Sequence, residues 1–194
     1  NLGDEINIVV PTGNFGNILA AYYAKEMGIP VKKLICASNS NDVLTEFLST
    51  GVYNRQRDFY TTISPSMDIL ISSNLERLLY DLSGRDDKFV ASLMAQLKEK
   101  GEYKITPKMY ADLTSVFAAG YADEDKTVSA IKNTWQDKNY CIDTHTAVGV
   151  AVYQDYKTAT GDNTPTVLLS TASPYKFPHS VLEAIFNEAP EDEF

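Results

Sequence analysis

Pro11-Thr12-Gly13-Asn14-Phe15-Gly16-Asn17 is the stretch on which the fold of this chain turns. A β-branched run, Ile6-Asn7-Ile8-Val9-Val10, precedes it, and an amphipathic segment with Ile18, Leu19, Tyr22 and Tyr23 follows. Strand, glycine-bearing turn and helix together present consecutive backbone N–H groups to an anion at a helix N-terminus. Gly13 and Gly16 carry no Cβ to keep a phosphate away from the main chain. Asn14 and Asn17 add amide donors without adding charge. The spacing is neither G-x-G-x-x-G nor G-x-x-x-x-G-K-[ST], which excludes the dinucleotide and P-loop readings. Taken alone, the loop is also compatible with an ordinary strand-to-helix turn.

Outward from the loop, strand and helix alternate. Residues 6–10 read as a strand and 17–27 as a helix closed by Gly28 and Pro30. Residues 31–37 read as the next strand, and Asn41 can cap a helix over 42–48 that ends at Gly51. This order with short connections implies parallel strands joined by right-handed crossovers. Ligand-binding residues are then expected in the crevice at the carboxyl ends of the strands.

The middle of the chain changes character. Residues 73–100 are helical in pattern, with Leu75, Leu78, Leu79 and Leu82 followed by Phe89, Val90, Leu93, Met94 and Leu97, and Gly84 and Gly101 punctuate these helices. Thr106-Pro107 starts a further helix, residues 117–122 form a brief strand, and 123–136 a helix with an acidic first turn. The last third returns to α/β order: Asp143-Thr144-His145-Thr146 leads into a helix over 147–158, residues 165–171 form the final strand, and 180–187 a closing helix. The acidic tail, 188–194, reads as solvated surface or as a partly disordered end. Three parts result: an α/β segment 1–72, a mainly helical insertion 73–136, and a closing α/β segment 137–194.

With 194 residues and 44% hydrophobic composition, the chain can bury a sizeable core. A formal net charge of −9 argues against nucleic acid or an anionic membrane as partner. The longest apolar runs, such as Thr166-Val167-Leu168-Leu169, are far too short to span a bilayer. Cys36 and Cys141 are isolated in sequence and read as buried free thiols of a reduced, cytoplasmic protein. With His145 and His179 they show no metal-ligand spacing. The opening Asn1-Leu2-Gly3-Asp4-Glu5 leads straight into a strand and reads as the middle of a longer protein.

Two further polar segments follow predicted strands or turns. Ser64-Pro65-Ser66-Met67-Asp68-Ile69 runs on to Ser72-Ser73-Asn74-Leu75-Glu76-Arg77, where Ser73 and Asn74 suit an N-cap and Arg77 a solvated face. The same helix start can instead form a second anion site with Arg77 as a charge-assisted donor. Thr171 is either a satisfied hydroxyl at a strand end or a partner for a ligand's ring nitrogen. His145 reads as a structural turn or core histidine rather than a general base.

Together these segments resemble the threonine synthase family. The resemblance rests on Val10-Pro11-Thr12-Gly13-Asn14-Phe15-Gly16-Asn17-Ile18-Leu19-Ala20, on Cys36-Ala37-Ser38-Asn39 with Asn41-Asp42-Val43-Leu44, and on Ser64 to Ile69. It continues through Ser72-Ser73-Asn74 with Glu76-Arg77, Asp143-Thr144-His145-Thr146-Ala147-Val148-Gly149, and Ser170-Thr171-Ala172-Ser173-Pro174-Tyr175-Lys176-Phe177-Pro178. It spans almost the whole chain in family order. It implies a tryptophan synthase β-like fold, a parallel twisted sheet flanked by helices, and pyridoxal 5′-phosphate as cofactor. It also implies conversion of O-phosphohomoserine and water to threonine and phosphate.

Carried over residue by residue, the resemblance implies that Gly13, Asn14, Phe15, Gly16 and Asn17 cradle the cofactor phosphate and that Thr171 meets the pyridine nitrogen. Ser73, Asn74 and Arg77 are similar to the part of the family site that holds the substrate phosphate. The family's Schiff-base lysine lies upstream of the glycine loop, in an N-terminal domain this chain does not contain. Lys25, Lys32 and Lys33 read as surface residues, so no catalytic residue is assigned here and the piece alone is expected to be inactive. A fragment of a fold-related serine or threonine dehydratase, or a non-catalytic anion-binding domain, are the alternatives.

Overall fold

A computed structural model describes residues 3–188 and contains two sheets. The main sheet has four parallel strands in the order β5-β2-β1-β6, where β1 is Ile6–Pro11, β2 Val31–Ser38, β5 Phe117–Tyr121 and β6 Thr166–Leu168. A second sheet pairs β3, Val52–Asn54, with β4, Glu102–Lys104, antiparallel.

Strand period sorts the core onto two faces. From β1 and β2, Val10, Leu34 and Cys36 join one apolar cluster, while Val9, Ile35 and Ala37 join another. The first lies under α1 (Gly16–Glu26), α2 (Val43–Thr50), α3 (Leu75–Leu82), α4 (Asp87–Lys100) and α5 (Pro107–Val116). The second lies under α6 (Glu124–Lys138), α7 (Thr144–Thr160) and α8 (Pro178–Phe186). A sheet buried on both faces explains the near-continuous apolar reading of β2.

Several local expectations need correction. The segment 73–136 is not only a helical insertion, because its strand β5 forms one edge of the main sheet, paired to β2 from Leu34↔Phe117 to Ser38↔Tyr121. The helices expected over 73–100 with breaks at Gly84 and Gly101 are α3 and α4, parted at residues 83–86, where Gly84 takes φ 77° and Arg85 φ 69°. Asp42, not Asn41, holds the N-cap position of α2, without a side-chain cap bond, and Asn41 instead donates to the Tyr60 carbonyl (2.8 Å) and to Asp68 Oδ1 (3.0 Å). Helix α7 starts at Thr144 rather than at residue 147, because the Asp143 carboxylate accepts the N–H groups of His145 (2.8 Å) and Thr146 (3.2 Å).

The strand expected over 165–171 stops at Leu168. Leu169 still donates to the Val9 carbonyl at 3.0 Å, but the neighbouring position on β1 is Pro11, which has no N–H to continue the ladder. Residues 170–172 therefore leave the sheet at the carboxyl end of β1. The closing helix begins at Pro178 instead of residue 180 and ends at Phe186. The tail expectation lies outside the described residues apart from Glu188. Strands β3 and β4 are too short to show a period in sequence; stacked Tyr53 and Tyr103, with ring centroids 5.3 Å apart, mark their pairing.

Candidate functional site

At the carboxyl end of β1 lies a cavity of about 300 Å³. Val10 to Asn17 line it on one side, Ser66, Met67 and His145 on another, and Thr171 with Ala172 on a third. Among the described residues, no Asp, Glu, Lys or Arg lines it. From these residues the cavity offers an anion neutral donors.

The glycine loop supplies those donors. Helix α1 has no side-chain cap, and none of the N–H groups of residues 13–18 has a protein acceptor among the described residues. The loop carbonyls, by contrast, are tied down from behind. Ser72 Oγ donates to the Gly13 carbonyl at 2.8 Å, and Asn74 gives both its backbone N–H (3.1 Å) and its side-chain amide (2.7 Å) to the Asn14 carbonyl. Tying the carbonyls while leaving the N–H groups free is the arrangement an anion cradle requires. A phosphate ester fits this donor set.

The two glycines act differently. A Cβ on Gly13 would stand 2.8 Å from the Ser66 carbonyl oxygen, so residue 13 is small because the 65–67 turn presses on it. A Cβ on Gly16 would meet only Asn74 Nδ2, at 3.7 Å, which leaves its surroundings open to a ligand. The left-handed turn between them is made by Phe15, with φ 63°, not by a glycine. Its ring is buried against Phe117, centroids 5.8 Å apart, so only its main chain can serve a ligand. Burial of that ring offsets the conformational cost of a bulky residue at positive φ.

Thr171 lines the cavity and is exposed, and its hydroxyl has no protein partner among the described residues. It is therefore not the satisfied strand-end hydroxyl of the first alternative. Ser73, Asn74 and Arg77 do not line the cavity. Asn74 buttresses the loop from behind, Ser73 is exposed, and Arg77 is exposed on α3. Lys25, Lys32 and Lys33 sit at the opposite end of the sheet, where Lys32 pairs with Asp162 at 2.9 Å and Lys33 donates to the carbonyls of Thr114 and Ser115.

Sequence reasoning passed over Ser66, Met67 and Ala172 as site residues, although Ser64 to Ile69 stood out as a motif. His145 is a structural histidine as expected, yet it also lines the site. Its Nε2 accepts the Ser66 N–H at 3.2 Å and its Nδ1 lies 3.2 Å from Asp143 Oδ1. An acceptor at Nε2 places the ring proton on Nδ1. Burial pushes the Asp143 carboxyl upward, but hydrogen bonds from His145 and Thr146 together outweigh it and hold it below its ordinary value.

A protein-family model described as "Threonine synthase, C-terminal" matches residues 146–193. The PLP-bound threonine synthase of Brucella melitensis superposes with a TM-score of 0.90 at 41% identity, over 98% of this chain and 40% of that one. Yeast threonine synthase gives 0.87 at 36% identity, over 97% and 42%. Threonine synthase-like 1 of Macaca fascicularis is 41% identical over 186 residues, 95% of this chain and 25% of that protein. The chain thus spans between a quarter and about two fifths of the length of these relatives. Its near-complete superposition on two solved threonine synthases, with a family match to their carboxyl-terminal part, shows that the chain belongs to the threonine synthase family.

Proposed function

We propose that this chain is the carboxyl-terminal portion of a pyridoxal-phosphate enzyme that converts O-phosphohomoserine and water to threonine and phosphate. The observation that carries the reading is the row of unpaired N–H groups at residues 13–18 facing a cavity without charged walls. When bound, pyridoxal phosphate would supply the electron sink for eliminating the substrate's phosphate. Its own phosphate would rest on the N–H groups of Gly13, Asn14, Phe15, Gly16 and Asn17.

Thr171 would offer its neutral hydroxyl to the pyridine nitrogen, a contact that leaves that nitrogen unprotonated. Ser73 and Arg77 would hold the substrate's phosphate apart from the cofactor cradle, with Arg77 as the charge-assisted donor, while Asn74 would act through its bonds to the Asn14 carbonyl. His145 does not serve as general base in this geometry, because its Nε2 lone pair is already taken by Ser66. No lysine lines the cavity, so the lysine that holds the cofactor would come from outside this chain. Free Cys36 and Cys141 suit a reducing, cytoplasmic setting.

The test is turnover by the whole protein that carries this chain. Threonine and inorganic phosphate should form in equal amounts from O-phosphohomoserine. Failure to release either, with cofactor bound, would sink the enzymatic reading; a protein that still bound phosphate would then be a binding domain.

A further inference from the structure

Ser66 is distant from the glycine loop in sequence but shares its cavity. Its main chain is fixed on both sides, by donation to His145 Nε2 at 3.2 Å and by the close approach of its carbonyl to Gly13. The turn that carries it, Pro65–Met67, is anchored at each end. Buried Ser64 accepts from Asn39 Nδ2 at 3.0 Å, and Asp68 Oδ1 accepts from Asn39 Nδ2 at 2.7 Å and Asn41 Nδ2 at 3.0 Å. Met67 is buried.

His145 is held just as firmly. Its side chain is 3% exposed, Asp143 fixes Nδ1, and Phe177 packs on the ring with centroids 4.9 Å apart. The Ser66 hydroxyl is the uncommitted end of this arrangement. Ser66 is exposed, and its hydroxyl has no protein partner among the described residues.

We propose that Ser66 is a further ligand of the phosphate monoester bound over residues 13–17, its hydroxyl donating to a phosphate oxygen, and that His145 is the positioning residue that sets it there. The proposal rests on the reading of this cavity as an anion site. In a cavity lined by no cation, a phosphate dianion is stabilised by neutral dipoles alone, so one further O–H donor matters. A serine placed by a buried Asp–His pair through its backbone N–H keeps its hydroxyl free for the ligand.

The experiment is an amide NMR titration of the cofactor-free whole protein that carries this chain, with inorganic phosphate, pyridoxal 5′-phosphate and O-phosphohomoserine as separate probes. Wild type should show phosphate-dependent shifts at Gly13 to Asn17. Ser66→Ala, which keeps the N–H bond to His145, should raise the phosphate dissociation constant about 5- to 10-fold, the range expected for one lost hydrogen bond. His145→Ala should weaken it similarly, and His145→Gln, whose amide oxygen can accept the Ser66 N–H, should recover most of the affinity. A loss confined to pyridoxal 5′-phosphate identifies the cofactor's phosphate as the partner; one confined to O-phosphohomoserine identifies the substrate's. Wild-type binding with an unchanged constant in Ser66→Ala for all three probes overturns the proposal while leaving the anion site standing. Silence at residues 13–17 in wild type overturns both.

Discussion

The carbonyl oxygen of Ser66 lies 2.8 Å from the point where a Cβ on Gly13 would be, whereas a Cβ on Gly16 has 3.7 Å to its nearest neighbour, Asn74. Gly13 is thus required by packing, whereas packing does not require Gly16, which on the proposed reading keeps the loop open to a phosphate. Gly13→Ala should destabilise the chain by about 1–3 kcal/mol, the usual cost of forcing atoms into a filled space. Gly16→Ala should change stability by less than about 0.5–1 kcal/mol yet weaken phosphate binding. Urea denaturation and phosphate titration of both variants check this, and equal destabilisation would refute the division of roles.

Asp143 sets the start of α7 and the orientation of His145. Its folded-state pKa is depressed, so its contribution is fully present above the unfolded value of about 3.9 and is lost as pH falls through the folded value. Asp143→Asn should cost about 2–4 kcal/mol at neutral pH. The gap between wild type and variant should shrink as the pH is lowered from 5 towards 2. Parallel stability curves over that range would show that the carboxylate charge is not what matters.

Tyr53 joins two loops through one hydroxyl. It donates to the Leu70 carbonyl at 3.0 Å and accepts the Ser72 N–H at 2.8 Å, directly before the segment that ties down the glycine loop. Burial pushes its phenol up to about 12, so it stays protonated across the working range. Tyr53→Phe leaves the Ser72 N–H buried without its partner and should cost about 1–3 kcal/mol. Chemical denaturation measures it; a loss below half of that range would mean water replaces the hydroxyl.

Arg77 stands on the exposed side of α3, one turn from Asn74. If it holds the substrate's phosphate, Arg77→Ala in the whole protein should lower kcat/KM for O-phosphohomoserine roughly 10- to 100-fold, as loss of one charge-assisted bond implies. Cofactor absorbance should stay unchanged. Normal turnover in the variant would return Arg77 to the solvated helix face.

Lys25, Lys32 and Lys33 are engaged at the far end of the sheet, and no lysine lines the cavity. Pyridoxal phosphate added to this chain, reduced with borohydride and mapped by peptide, should therefore mark no single lysine stoichiometrically. One fully modified lysine beside the glycine loop would reverse the assignment.

The sequence by itself determined the parallel α/β order, the glycine loop and the helices with strong caps. Those features rest on period, β-branched runs and a helix start such as Thr106-Pro107, all local in the chain; the Asp143 cap, by contrast, moves the start of α7 forward from where the pattern put it. Local signals could not place Ser66 against Gly13, because 52 intervening residues fold back through long-range bonds, those of the Asn39–Asn41–Asp68 network and that of Ser66 to His145 among them. Nor could they show that Asn74 turns its amide to the Asn14 carbonyl instead of capping α3, or that the 117–121 strand belongs to the main sheet. They also missed the short β3–β4 pair and the early end of β6, which depends on Pro11 lacking an N–H on a neighbouring strand. Tertiary structure decided these points because buried polar groups must find partners wherever the packed chain brings them, and that choice is made across elements rather than along the sequence.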